Sequence, residues 1–557
     1  MRNRAWIFAL SVLGSLLLLP AQYSPLGTEE QRAAGKALYD KNCAQCHGEA
    51  GDGLGVAAPY LKPQPRDFTR GRYKFRSTPT GVLPTDDDLK RMIRLGMPYT
   101  AMPDWPEFND RQLTELAFYL KTFSPAFAGL DRPPQAIDLP RPPSYSEESA
   151  ERGEVIYEEL GCSQCHGDLG RGDGPTAPTL TDEWGFHVRA ANLTMPWTFR
   201  GGGTRADIYR TFMTGIGGTP MPSYADEGAL APEDRWPLVD YIWSLSGTSS
   251  PNYATLVQSV FHEGEIEPEA GPELFAEAPM ARFPLFGQIV EPGRSFYPPA
   301  ISVMVRSVYN LRRVAVLVEW DDMQADISGG NSPLLRAPEF DPEEAVRMER
   351  IGGSSEDPSD PLDADPFEQD PFAADPFAQL DASDLAPGDT GRVRATEFSD
   401  AVAIQFPQRL PDGIVKPYFL FGDVTRPVEL WFVDLAKKDP ELFTARGSGA
   451  ITEGEGDGFL VSAQYDRGRW SVVFVRNRVS SRSVSFREAQ FVPIAFSVWD
   501  GFSHERGNKR ALSNWFYLYV SPMERPSPLG PIVTNFFTVL LGIVLVVFWA
   551  RRTYSAE

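Results

Sequence analysis

Apolar positions along this chain change their period part-way. Up to about residue 250 they recur every three or four residues, as on one face of a helix. Glu29 to Asn42 shows this spacing, with Ala33, Ala37 and Leu38 on one side. Asp86, Asp87 and Asp88 open a second helix through Leu95, with Thr85 at the N-cap position. Asp110 to Thr122 places Leu113, Leu116, Ala117 and Leu120 inward, and Gly153 to Leu160 and Trp236 to Leu245 repeat the leading and closing segments in a second domain. From about Phe261 strand-like runs take over: Ile301 to Tyr309, Val314 to Trp320, Ala401 to Phe406, Pro417 to Leu420, Val428 to Val433, Gly458 to Tyr465, Trp470 to Arg476, Val492 to Trp499 and Asn514 to Val520. Many short strands with turn residues between them predict an antiparallel β-sandwich.

Two further runs are apolar without a period. Ala5 to Leu19, behind Arg2 and Arg4, reads as a signal peptide over 1–22, with an uncleaved anchor as the alternative. Leu529 to Ala550 is long enough to cross a bilayer, which takes about 20 residues. The expected organisation is multidomain: two all-α domains at 25–128 and 146–250, a Pro-rich linker at 129–145, the β-sandwich at 261–525 and a transmembrane helix at 529–550. Arg551 and Arg552 place the C-terminus in the cytoplasm by the positive-inside rule and everything before the helix outside.

The chemistry sits in the helical part. Cys43-Ala44-Gln45-Cys46-His47 and Cys162-Ser163-Gln164-Cys165-His166 are both C-x-x-C-H, the attachment signature of c-type haem, in which two thiols form thioethers and the histidine becomes the proximal iron ligand. These are all four cysteines of the chain. Met102 and Met221 each lie 55 residues after their histidine, in Thr100-Ala101-Met102-Pro103 and Thr219-Pro220-Met221-Pro222. His/Met ligation makes a high-potential, six-coordinate electron carrier with no open iron position. The expected metal ligands are therefore His47, Met102, His166 and Met221, and two covalent haem c groups are expected. Met97 and Met213 have no matching partner and default to packing, and His187 and His262 are weaker alternatives as ligands. Tyr73-Lys74-Phe75-Arg76 is echoed by Trp197-Thr198-Phe199-Arg200, which makes Arg76 and Arg200 either propionate contacts or ordinary surface arginines.

Charge adds one feature. Of a net charge of −22, half comes from Glu356 to Asp389, which holds eleven acidic residues and no Lys or Arg. Asp365-Pro366-Phe367, Asp370-Pro371-Phe372 and Asp375-Pro376-Phe377 repeat there, so a disordered insert is expected at about 325–394, as a passive loop or as a docking tether. The acidic balance argues against nucleic acid and suits a basic partner such as a small cytochrome, although a solvated surface accounts for it equally.

With Cys, Cys, His and Met all matched, the two helical domains resemble the class I cytochrome c family. The third domain resembles the haem-b-binding γ subunit of ethylbenzene dehydrogenase and its relatives in the dimethyl-sulfoxide-reductase family. The resemblance is carried by Val318-Glu319-Trp320-Asp321-Asp322, Asp400 to Pro407, Phe496-Ser497-Val498-Trp499-Asp500-Gly501, Glu505-Arg506-Gly507-Asn508-Lys509 and Ser513-Asn514-Trp515. It implies a b-type haem held by a lysine, here Lys509 or else Lys437 or Lys438, and by a methionine. Phe421 stands where that methionine is expected, leaving Met304 or Met323 as substitutes, or no haem b at all. The two resemblances imply an electron-transfer subunit without a substrate site of its own, on the outer face of a bacterial cytoplasmic membrane. Its partners would be a molybdenum and iron–sulfur oxidoreductase and a soluble cytochrome or membrane redox partner. The rival readings are a dihaem peroxidase-like enzyme and a docking module with a haem-free sandwich.

Overall fold

The computed structural model describes residues 23–183, 185–225, 230–246, 248, 250–338, 396–454, 456, 458–523 and 529–554. The expected signal peptide, and Phe367, Phe372 and Phe377 of the acidic repeats, lie outside the described residues.

The helical part is built twice on one plan. Its first copy contains α1 (Glu29–Asn42), α2 (Asp86–Leu95) and α3 (Asp110–Lys121), and its second α4 (Glu147–Glu159), α5 (Arg205–Thr214) and α6 (Arg235–Ser244). Capping boxes start four of them: Thr28 with Gln31, Thr85 with Asp88, Asn109 with Gln112, and Thr204 with Asp207. Each side chain satisfies an N–H that the first helical turn leaves open. Periodicity did not point to α5, whose sequence is rich in Thr, Tyr and other weak helix formers. Burial of Ile208, Tyr209, Phe212 and Met213 holds it.

In both copies the first and last helices touch backbone to backbone at a glycine. A Cβ on Gly35 of α1 would lie 2.0 Å from the Glu115 carbonyl oxygen of α3, and one on Gly153 of α4 would lie 1.9 Å from that of Pro237 in α6.

The third part is a fourteen-stranded mixed sheet folded into two layers. One layer runs β10 (Leu460–Asp466), β11 (Arg469–Asn477), β5 (Arg313–Asp321), β4 (Ser302–Tyr309), β1 (Leu256–Phe261), β14 (Phe516–Val520). The other runs β6 (Ala401–Pro407), β7 (Val428–Asp434), β8 (Pro440–Ala445), β9 (Ile451–Glu453). β12 (Gln490–Trp499) belongs to both: Gln490 to Ile494 pair with β14, and Ala495 to Trp499 pair with β6. Short strands β2 (Ala281–Pro284), β3 (Phe286–Gly287) and β13 (Ala511–Leu512) pair at the margins. Val303, Val305, Trp320, Trp470 and Phe474 of the first layer share one core with Ile404, Phe406, Trp431 and Val433 of the second.

Three expectations change here. The sheet is not purely antiparallel, because β1 pairs in parallel with both β4 and β14. Pro417 to Leu420 is not a strand: the chain turns there, and the Gly422 N–H closes on the Tyr418 carbonyl at 2.8 Å. The insert also starts later than 325. Asp326 and Asn331 are buried, and Asn331 Nδ2 donates to the carbonyls of Ser399 and Glu505, so these residues are built into the fold.

The helical copies pack on each other and on the sheet. Arg91 of the first bonds Asp207 of the second at 2.7 Å. Arg189 of the second bonds Asp500 at 2.7 Å, and Asn192 donates to Asp321 at the end of β5. Finally α7 (Leu529–Tyr554) carries an exposed apolar stretch, Ile532–Trp549, long and apolar enough to cross a membrane.

Candidate haem sites

Each C-x-x-C-H motif begins where its leading helix ends and closes one helical turn, Ala44–His47 in the first copy and Ser163–His166 in the second. A buried tyrosine pins each turn from below: Tyr39 Oη donates to the Gly48 carbonyl and Tyr157 Oη to that of Gly167, both at 2.7 Å. Burial pushes the Cys43 thiol up to about 12 and the Cys162 thiol up to about 11. That is the reverse of the activated thiolate a redox dithiol needs.

The histidines are oriented alike. His47 Nδ1 lies 3.0 Å from the Arg66 carbonyl oxygen and His166 Nδ1 lies 2.9 Å from that of Ala191. A carbonyl only accepts, so Nδ1 carries the proton and Nε2 keeps its lone pair for a metal. Burial holds both imidazoles below the ordinary histidine range, which keeps them neutral and ligand-ready.

The methionine loops are superimposable in their bonding. After α2, Gly96 turns at φ +61°, the Met97 N–H donates to the Met102 carbonyl at 3.0 Å, and Thr100 Oγ1 donates to the Met97 carbonyl and accepts from the Met102 N–H. After α5, Gly215 turns at φ +65°, the Ile216 N–H donates to the Met221 carbonyl at 3.2 Å, and Thr219 Oγ1 bridges Ile216 and Met221 in the same way. The threonine two residues before each methionine is therefore a loop lock. Met221 and Cys162 pack against the same core. Two thiols, a neutral imidazole with a free Nε2 and a thioether on a fixed loop form a donor set that fits a covalent haem c in each copy. Among the described residues no group of three or more His, Cys, Asp or Glu side chains is arranged to hold a bare metal ion.

The arginines are placed differently from each other. Arg76 is buried, and its guanidinium donates to the carbonyls of Pro79, Tyr73 and, across the interface, Thr214 at 3.0 Å. Arg200 is exposed. His187 Nε2 bonds the Ala177 carbonyl and its ring packs on Phe502.

The implied haem b fares worse than haem c. Lys509 is buried, but Phe421 is fully buried at φ +65°, with the Arg510 guanidinium 3.8 Å from its ring centre. Neither a phenyl ring nor a guanidinium offers iron a lone pair. Lys437 pairs with Asp434, Lys438 reaches the Ala463 carbonyl, and Met304 Sδ faces Arg282 Nη2 at 3.3 Å. Phe421 therefore supplies no ligand, and Lys437, Lys438 and Met304 are engaged elsewhere, which leaves Lys509 and the buried Met323 as the remaining Lys/Met candidates.

Sequence reasoning missed the carbonyls of Arg66 and Ala191, which have no side-chain signature, and Glu183, which bonds both Arg66 and Arg72. It also missed the tyrosine pins. Their signal was visible but offset, because Gly161, at φ +67°, adds one residue between Tyr157 and its motif.

Residues 30–120 match the family described as cytochrome C oxidase, cbb3-type, subunit III, and residues 150–246 match the family described as cytochrome c. A Haloferax mediterranei protein named as a respiratory nitrate reductase heme subunit is 29% identical over 152 residues, 27% of this chain and 52% of that one. The dimethylsulfide dehydrogenase subunit gamma of Rhodovulum sulfidophilum is 28% identical over 140 residues, 24% of this chain and 51% of that one. A solved reducing HAO-like protein complex of Kuenenia stuttgartiensis aligns at 41% identity over 41% of this chain and 100% of that one, with a TM-score of 0.37. The chain spans about half the length of the curated relatives it matches.

Proposed function

We propose, from the premise that two cytochrome c domains share this chain, that it is a membrane-anchored dihaem cytochrome serving as the electron-transfer subunit of a respiratory oxidoreductase complex. The observation that carries the reading is the duplication of one ligand framework, histidine Nδ1 on a carbonyl and methionine on a threonine-locked loop, in both copies. When bound, haem c supplies a reversible one-electron couple. The chain's own residues do the rest. Cys43, Cys46, Cys162 and Cys165 would hold the groups covalently. Arg66 and Ala191 would fix the imidazole tautomers, and Met102 and Met221 would each offer a thioether to the iron from a fixed loop. An iron held by both ligands would serve charge transfer rather than substrate binding.

The relatives' names, a nitrate reductase subunit and a dimethylsulfide dehydrogenase subunit, support a respiratory oxidoreductase complex as partner, and the resemblance of the third domain makes a molybdenum and iron–sulfur enzyme the partner we propose. The helix α7 supports anchoring, with the haem domains outside the cytoplasmic membrane and Arg551 inside. The Phe421–Arg510 stack favours a second point, that the β-domain is a docking module without haem b.

One preparation tests the reading. Membranes from cells expressing the whole chain should yield, by pyridine haemochrome, two c-type haems per chain and no b-type haem. Fewer than two c-type haems, or chain found only in the aqueous fraction, would sink it.

A further inference from the structure

Glu183 bonds the surroundings of both candidate haem sites and belongs to neither ligand set. Glu183 lies in the second cytochrome domain, in the short loop that the Thr181–His187 bridge closes. Its side chain is 7% exposed. Oε1 accepts from Arg66 Nη1 at 2.6 Å and Oε2 from Arg72 Nη1 at 3.0 Å, both across the interface in the first domain. Arg66 is the residue whose carbonyl accepts the hydrogen bond from His47 Nδ1. On its other side, the Glu183 N–H donates to the Gly218 carbonyl at 3.1 Å, inside the Met221 loop. Gly218 sits so close, at φ +73°, that a Cβ there would come within 2.6 Å of the Glu183 carboxyl carbon. The run His47, Arg66, Glu183, Gly218 thus joins the proximal side of one site to the axial loop of the other.

The two contacts differ in kind. Charge meets the first site, through Arg66 and Arg72, whereas only main chain meets the second. Lys74 and Asp182 add further charge nearby, and the Lys74 carbonyl accepts from the Gly217 N–H of the same Met221 loop. Burial alone would raise the Glu183 carboxyl, but Arg66 and Arg72 outweigh it and hold it below the ordinary glutamate range, so the charge is present at neutral pH.

We infer that Glu183 is a positioning residue that sets how an electron is shared between the two haems, a step that rests on the two-haem reading above. Its carboxylate offsets Arg66 and Arg72 beside the first site, and an uncompensated positive charge there would favour the reduced iron. In a water-poor interface such a charge acts at greater strength than on an exposed surface. The exchange itself is a one-electron step: one iron loses what the other gains, and no proton or bond changes hands.

The test uses the full chain in detergent, titrated spectroelectrochemically, with Met102→Ala identifying which midpoint belongs to the first haem. Glu183→Gln keeps the N–H to Gly218 and removes only the charge. It should raise the first midpoint relative to the second by about a tenfold change in electron sharing, about 59 mV for one electron. Arg72→Gln should move the same gap the opposite way, which a merely structural role does not do, and it keeps the test alive if the first variant folds poorly. A gap unchanged in both variants, or moved in the same direction by both, overturns the proposal. A parent chain lacking the methionine–iron charge-transfer band overturns the His/Met reading instead, and this inference with it.

Discussion

At the scale of single residues, the sequence makes the metal ligands readable because they come in pairs. Two C-x-x-C-H motifs and two methionines at one spacing exclude most accidents. The groups that orient them leave no such mark. Arg66 and Ala191 act through carbonyls, which every residue has, and they stand 19 and 25 residues beyond their histidines. Arg76 looked equivalent to Arg200 in sequence, yet it lies buried in the domain interface, bonded to the Thr214 carbonyl, while Arg200 is exposed. Met102→Ala or Met221→Ala should lower the midpoint of the haem in that copy alone and let carbon monoxide bind its iron. Redox titration and carbon monoxide difference spectra check both, and an unchanged potential would refute the ligand assignment.

At the scale of elements, helices with strong caps and a clean apolar face were legible to within a residue or two, as α1, α2 and α3 show. What escaped was set by contacts distant in sequence. α5 forms because its neighbours bury it, and β1 lies parallel between β4 and β14 because of pairings that no local period encodes. The Phe419–Phe421 segment has strand-like composition, but Phe421 takes φ +65° to stack on Arg510. The glycine crossings give a sharp prediction at this scale. Gly35→Ala drives a Cβ into the Glu115 carbonyl and Gly153→Ala drives one into that of Pro237, so α1 and α3, or α4 and α6, must move apart. Overpacking of this kind costs about 1–3 kcal/mol. Denaturant titration followed at the Soret band should show each variant destabilised by that amount.

At the scale of the whole molecule, the domain junction holds buried acids. Asp322, Asp326, Asp400, Asp500 and Glu505 cluster under Arg189, an arginine that ties the second cytochrome domain to the sheet. Burial, then the neighbouring Asp500, pushes Asp326 up to about 6 and Glu505 up to about 8, and burial likewise raises Asp322 and Asp400. An unfolded chain releases these protons nearer the ordinary values of 3.8 and 4.5, so between about pH 4 and 8 these acids hold more protons folded than unfolded, and their contribution to stability falls as pH rises. Melting curves of the full chain and of Glu505→Gln should diverge as pH rises towards 8, the parent losing the more stability. A variant with the parent's pH dependence would contradict the protonated junction. The two-layer sheet has a mechanical corollary. Because β12 gives its first five residues to one layer and its last five to the other, a single covalent rod is laced through both walls. Neither wall can lose that strand without opening its neighbour. Heat or force should therefore dismantle them in one event, and damage anywhere along that rod is felt on either side.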